Sequence, residues 1–142
     1  MTEQQAAPND RVRLQIPSHP KYVGFARDMI YRLGTQNGLS MAAAFDLKIV
    51  AGEALGNIIK HAYNGSSEKP IFIEILMYHT YLEIRFRDLG QQIPITARHA
   101  HDLSDYRERG LGVFLISKLS DYHYYDQTRK VGTELVIKKR IK

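Results

Sequence analysis

The chain has no cysteine and no tryptophan in its 142 residues. Without cysteine, disulfides, thiolate zinc sites and cysteine nucleophiles are excluded together. The sequence also lacks any apolar run of about 18 residues, the length a membrane-spanning helix needs. Its N-terminus carries no charged-then-apolar leader. A cytoplasmic protein with no membrane association is therefore expected. Acidic residues are in deficit, with 15 against 20 Lys plus Arg, for a formal charge of +5. Part of that excess is the C-terminal group Lys138, Lys139, Arg140 and Lys142. Such a tail suits nucleic acid, an acidic protein face or a solvated last strand. No aromatic-interleaved basic platform accompanies it, so direct nucleic-acid binding is not expected.

What is present suits one domain. A hydrophobic content of 44% over this length fills one compact core and not two. Residues 1–10 are polar and read as a flexible end, leaving 11–142 as the folded unit. Val12, Leu14 and Ile16 alternate along a first strand closed by Pro17. Ser18 is placed to cap a helix over 21–33. Ser40 opens the longest helical pattern, to about Tyr63, with Phe45, Ile49, Ala51, Leu55, Ile58 and Ile59 among its apolar residues. Asp46, Glu53, Asn57 and Lys60 form a polar stripe along it.

Two strands follow over 71–78, which reads as covered on both faces, and 82–88. His79-Thr80 between them is compatible with a hairpin. Residues 90–108 make a long polar stretch of the kind that is often functional. An apolar helix after Gly112 and strands over 122–125 and 133–137 complete the order. This order predicts an α+β two-layer sandwich, a mixed sheet covered on one face by about three helices.

Three constellations carry chemistry. Glu53 and Asn57 stand one helical turn apart on one face. An amide oxygen from Asn57 suits magnesium, which takes few protein ligands beside substrate phosphates. Glu53 is placed to accept a proton from an attacking hydroxyl. The same spacing also suits the wet face of an amphipathic helix. Asp88 ends its strand on the core-facing side, where a carboxylate needs a donor such as the exocyclic amine of adenine. Gly90 would let a flat base approach the backbone. A plain turn-capping aspartate fits the same three residues, Asp88-Leu89-Gly90. Gly110-Leu111-Gly112 opens the third helix, where freed N–H groups and the helix dipole favour an anion. Arg107 and Arg109 add charge beside it. It is neither a P-loop nor a dinucleotide fingerprint.

In this order, and with Gly132-Thr133 opening a late strand, the chain resembles the GHKL ATPase superfamily. Within it, the chain is most similar to the small anti-sigma-factor serine kinases of bacterial stress and sporulation switches. Residues 53–63, Glu-Ala-Leu-Gly-Asn-Ile-Ile-Lys-His-Ala-Tyr, resemble that group's N-box, and 109–116 its glycine box. The resemblance implies the Bergerat ATP-binding fold, with ATP and Mg2+ as cofactors. It implies Asn57 as magnesium ligand, Glu53 as general base, and Lys60 and His61 near the phosphates. Asp88, Gly90 and Thr133 would read adenine, while Gly110, Leu111 and Gly112 would cradle phosphate under a lid over 91–109. The implied reaction is phosphorylation of a serine on a STAS-domain anti-anti-sigma protein, with sequestration of a sigma factor or similar regulator by a homodimer. A regulator that binds ATP and acts by sequestration only is the alternative. Gln92 departs from the pattern, since many relatives carry a further glycine there.

His99 and His101 lie in the polar stretch with no third ligand at recognised spacing, so a metal site is not expected from them. The tyrosines at 122, 124 and 125 read as strand packing rather than a stacking platform.

Overall fold

The structure is a computed structural model that describes residues 7–93 and 108–141, and of residues 108–110 the backbone only. In chain order the elements are β1 (Asp10–Pro17), α1 (Val23–Gln36), α2 (Met41–Asn57), β2 (Pro70–Met77), β3 (Tyr81–Asp88), α3 (Glu108–Leu119), β4 (Tyr122–Asp126) and β5 (Thr133–Arg140). The five strands form one sheet in the order β1-β2-β3-β5-β4. Helices pack on one face, so the expected two-layer α+β sandwich is present.

The sheet differs from the mixed one expected, because every adjacent pair is antiparallel. The reason is connectivity. Two helices separate β1 from β2, and an even number of crossings returns the chain to the end it left. The single-helix crossover through α3 does give β3 and β4 the same direction, but β5 lies between them.

Local capping explains where the helices begin. Pro20 opens a short 3-10 turn over Pro20–Tyr22, and His19 caps it, Nδ1 accepting the Lys21 N–H at 3.1 Å. Ser18 is therefore not the cap. It is fully buried, its hydroxyl donating to the Ser66 carbonyl and accepting the Lys69 N–H at 3.1 Å. That ties the end of β1 to the loop entering β2. Ser40 does cap α2, accepting the Ala43 N–H at 3.1 Å. The helical pattern continues past Asn57 as a wider π turn over Ile58–Ala62. Asn64 (φ 50°) and Gly65 (φ 81°) then stop it in left-handed conformations.

The core lies between sheet and helices. Ile71, Ile73, Ile75, Ile84, Phe86 and Ile137 meet Ile30, Leu47, Val50, Leu55 and Ile116. Phe45, one of the apolar residues of α2, is 51% exposed, because the buried stripe of the helix runs through Ala44, Leu47 and Val50. Among the described residues no helix covers the second face of β2. Leu76 is buried there among cross-strand neighbours, and Tyr78 stacks on Tyr81 across the His79-Thr80 turn at 4.5 Å. Tyr122 and Tyr124 lie exposed on the same open face, while Tyr125 turns toward the helices.

Of the basic C-terminal group, Lys138, Lys139 and Arg140 belong to β5. Lys139 Nζ donates to the Leu119 carbonyl at 2.8 Å and lies 3.4 Å from Asp46 Oδ2. This contact makes Asp46 part of a strand–helix tie. Lys138 lies over the Tyr81 and Tyr122 rings.

Candidate nucleotide site

Helix α2 presents Glu53 and Asn57 on one face, both half-buried. Helix α3 packs against that face through a glycine. A Cβ placed on Gly112 would lie 3.4 Å from Asn57 Nδ2, 3.5 Å from Asn57 Oδ1 and 3.5 Å from Glu53 Oε2. The two predicted elements, far apart in sequence, thus meet in space. The contact also refines the role expected of the glycines. Helix α3 begins at Glu108, so Gly110 is in the first turn, where N–H groups lack intrahelical partners. Gly112 falls inside the ladder, and here it supplies close approach to the two side chains.

Beside this contact lies a recess lined by Ala54, Asn57, Phe86, Asp88, Tyr125 and Thr133 among others. Its volume is about 20 Å³, room for about one water. A purine enters only when a wall moves. Asp88 is 2% exposed and Thr133 4%, and the two stand opposite each other in the β3–β5 register. Asp88 Oδ1 accepts the Gly90 N–H at 2.9 Å. The turn-capping aspartate and the recess-lining aspartate are therefore one residue with both positions. The Asx turn holds its carboxylate in the wall.

Gly90 and Gly132 keep the backbone close around this wall. A Cβ on Gly90 would collide with the Ala62 carbonyl. Gly132 sits at φ 80°, and its Cβ would collide with the Asp88 carbonyl. The π turn carries Lys60, exposed, and His61, half-buried, beyond Asn57. The His61 carbonyl accepts from Gln91 Nε2 at 2.7 Å. Leu111 is 44% exposed. Arg107, His99 and His101 lie outside the described residues, and Arg109 is placed only as a first-turn position of α3.

Tyr63 escaped the sequence reading. Its ring is buried and its hydroxyl bridges two strands, donating to the Pro70 carbonyl at 2.6 Å and accepting the Leu89 N–H at 2.7 Å. Burial pushes its phenol above the ordinary value of 10.0, and the Asp88 charge adds to the shift. Gln127 was also missed, while Gln92 was noted only as a departure from the family pattern and Tyr125 only as strand packing. Period-2 alternation from Tyr122, which sets Tyr125 on the face opposite Tyr124, was the available signal for Tyr125.

Among the described residues no group of three or more His, Asp or Glu could hold a metal. The Glu53–Asn57 pair still fits magnesium. Its donors are oxygens, and the cradle against Gly112 is one that a methyl group would fill. No described helix is long and apolar enough to cross a membrane.

The histidine kinase-like ATPase domain family matches residues 16–139, and the chain belongs to that family. It is similar to a protein named serine-protein kinase RsbW from Listeria monocytogenes serotype 4a (strain HCC23). The two are 34% identical over 96% of this chain and 90% of the relative. A protein of the same name from Oceanobacillus iheyensis is 31% identical over 79% of this chain and 76% of the relative. Two solved structures share the fold. The RsbU and RsbW domains of Rv1364c from Mycobacterium tuberculosis superpose with a TM-score of 0.69 at 14% identity, over 95% of this chain and 33% of that longer chain. The SiaB-SiaC complex from Pseudomonas aeruginosa gives a TM-score of 0.62 at 13% identity, over 92% and 88%.

Proposed function

We propose that the chain is an ATP-dependent serine-protein kinase and anti-sigma factor, acting in a partner switch. One observation carries the site: Asn57, Asp88 and Thr133 line a single recess, and Glu53 lies beside it against Gly112. The names of the curated relatives support the kinase activity.

Asp88 accepts the exocyclic amine of adenine, with Thr133 beside it and Gly90 clearing the backbone. The first turn of α3, with Gly110 and Leu111, offers N–H groups to the phosphates; Arg107, Arg109 and Lys60 add positive charge, and His61 lies near the phosphates. The Asn57 amide oxygen holds magnesium, which when bound neutralises charge on the transferring group. Glu53 accepts the proton of the attacking serine hydroxyl. The oxygen of that serine bonds to the γ-phosphorus as the bond to the ADP oxygen breaks.

The acceptor is a serine on a STAS-domain antagonist, and the sequestered partner is a sigma factor or similar regulator. The family resemblance supports a cytoplasmic location and a homodimer, and sedimentation at micromolar concentration checks the second. Incubation with γ-labelled ATP, magnesium and a cognate STAS-domain protein tests the activity. Label on a serine of that protein is expected. Sequestration of the partner with no label transferred would leave a binding regulator instead.

A further inference from the structure

Residues 88–93 are pinned from two sides. On one side the π turn after α2 and Tyr63 behind it hold them. The Ala62 carbonyl takes the Gln91 N–H at 3.0 Å and Tyr63 takes the Leu89 N–H. On the other side stands a reciprocal pair of glutamines. Gln92 Nε2 lies 2.8 Å from the carbonyls of Arg129 and Gly132 and 3.3 Å from that of Gln127. Gln127 Nε2 lies 2.7 Å from the Ile93 carbonyl and 3.0 Å from Thr133 Oγ1. Each carboxamide donates into the other's segment. Their orientation follows from the acceptors, since a carbonyl takes only a donor and the amide nitrogen must face it.

That orientation sets a polarity at Thr133. Gln127 spends one amide proton on the Ile93 carbonyl and the other on Thr133 Oγ1. The hydroxyl oxygen is thereby an acceptor from Gln127, and its own proton turns elsewhere. Thr133 lines the recess with Asp88. A carboxylate acceptor beside a hydroxyl donor matches adenine, which offers an amine donor and the N1 acceptor. It meets guanine, with O6 and N1–H, like against like.

We infer that Gln127 is a specificity-determining positioning residue. By holding the Thr133 hydroxyl as a donor toward the recess, it makes the site select adenine over guanine nucleotides. Gln92 secures the turn that carries Gln127 and does not set the polarity. The inference rests on the recess being the base site.

The test is calorimetric titration of the full chain with ATP and with GTP, in magnesium, read as the ratio of the two affinities. In Gln127→Glu the carboxylate only accepts, so the Thr133 proton turns to it and a lone pair faces the recess. The ATP-over-GTP ratio is expected to fall by about tenfold or more. Gln127→Ala removes the donor without adding an acceptor, lowers the ratio less, and decides the matter if Gln127→Glu does not fold. Gln92→Leu is expected to weaken both nucleotides alike and keep the ratio within about twofold. An unchanged ratio in both Gln127 variants, with ATP binding retained and still lost in Asp88→Ala, overturns this inference and leaves the base site standing. A ratio shifted as far by Gln92→Leu as by Gln127→Glu also overturns it. Wild-type chain that binds no ATP removes the base site and the inference together.

Discussion

Gly112 lies against Asn57, close enough that a Cβ on the glycine would sit 3.4 Å from the amide nitrogen and 3.5 Å from the amide oxygen. Those distances are ordinary contacts, so Gly112→Ala should fold. Alanine is the better helix former by about 1 kcal/mol, so thermal stability should hold or rise. The methyl group nevertheless occupies the space over the Glu53–Asn57 pair. ATP affinity in magnesium should fall by about tenfold, and titration calorimetry beside a melting curve separates the two effects. Unchanged affinity would mean that the cradle lies elsewhere.

Glu53→Gln keeps the size of the side chain and removes the base. Phosphotransfer to the antagonist should drop by about a hundredfold or more while ATP affinity changes little. Full transfer in that variant would exclude Glu53 as the proton acceptor.

Of the three described glycines with positive φ, Gly65 and Gly132 make an internal comparison. Both have φ near 80°, but a Cβ on Gly65 meets nothing within 4 Å, whereas one on Gly132 collides with the Asp88 carbonyl. Gly65→Ala should cost about 1 kcal/mol for the backbone alone. Gly132→Ala adds a steric displacement of the base wall and should cost more than about 3 kcal/mol by chemical denaturation. Equal costs would mean that the β4–β5 turn does not lie flush on the end of β3.

Tyr63→Phe removes both hydrogen bonds of the hydroxyl and should destabilise the fold by about 1–3 kcal/mol. The pH dependence has a definite sign. Folding raises the phenol's pKa above 10.0, so its contribution is complete below pH 10 and fades as pH climbs through the higher folded value. The stability gap between wild type and variant should therefore narrow only above about pH 10. A gap that narrows between neutrality and pH 9 would contradict the burial of that hydroxyl.

How much was legible depended on whether a signal was local. Ser40 as the start of the long helical pattern, its end near Tyr63 and the period-2 strands are short-range patterns, and each appears where expected. Glu53, Asn57, Asp88 and Gly112 were readable as types and spacings, although their meeting depends on α2, α3 and β3 packing together. Direction in the sheet was not readable, because it depends on the even number of helices between β1 and β2 and on β5 inserting beside β3. The buried stripe of α2 was not readable either, because the helix carries apolar residues such as Phe45 on more than one face and only packing selects the one through Leu47 and Val50. Tyr63, Gln92 and Gln127 each reach a segment more than 25 residues away, at Leu89, at the 127–132 turn and at Ile93, so no local pattern marks those contacts.

The account turns on Asn57 as the residue that links magnesium to the nucleotide. Titration of wild type and Asn57→Ala with ATP, each with magnesium and with chelator, tests this directly. Wild type should bind one ATP per chain, more tightly by about tenfold or more in magnesium, and Asn57→Ala should lose that magnesium-dependent gain. Asn57→Ala that binds ATP in magnesium as tightly as wild type would contradict the site.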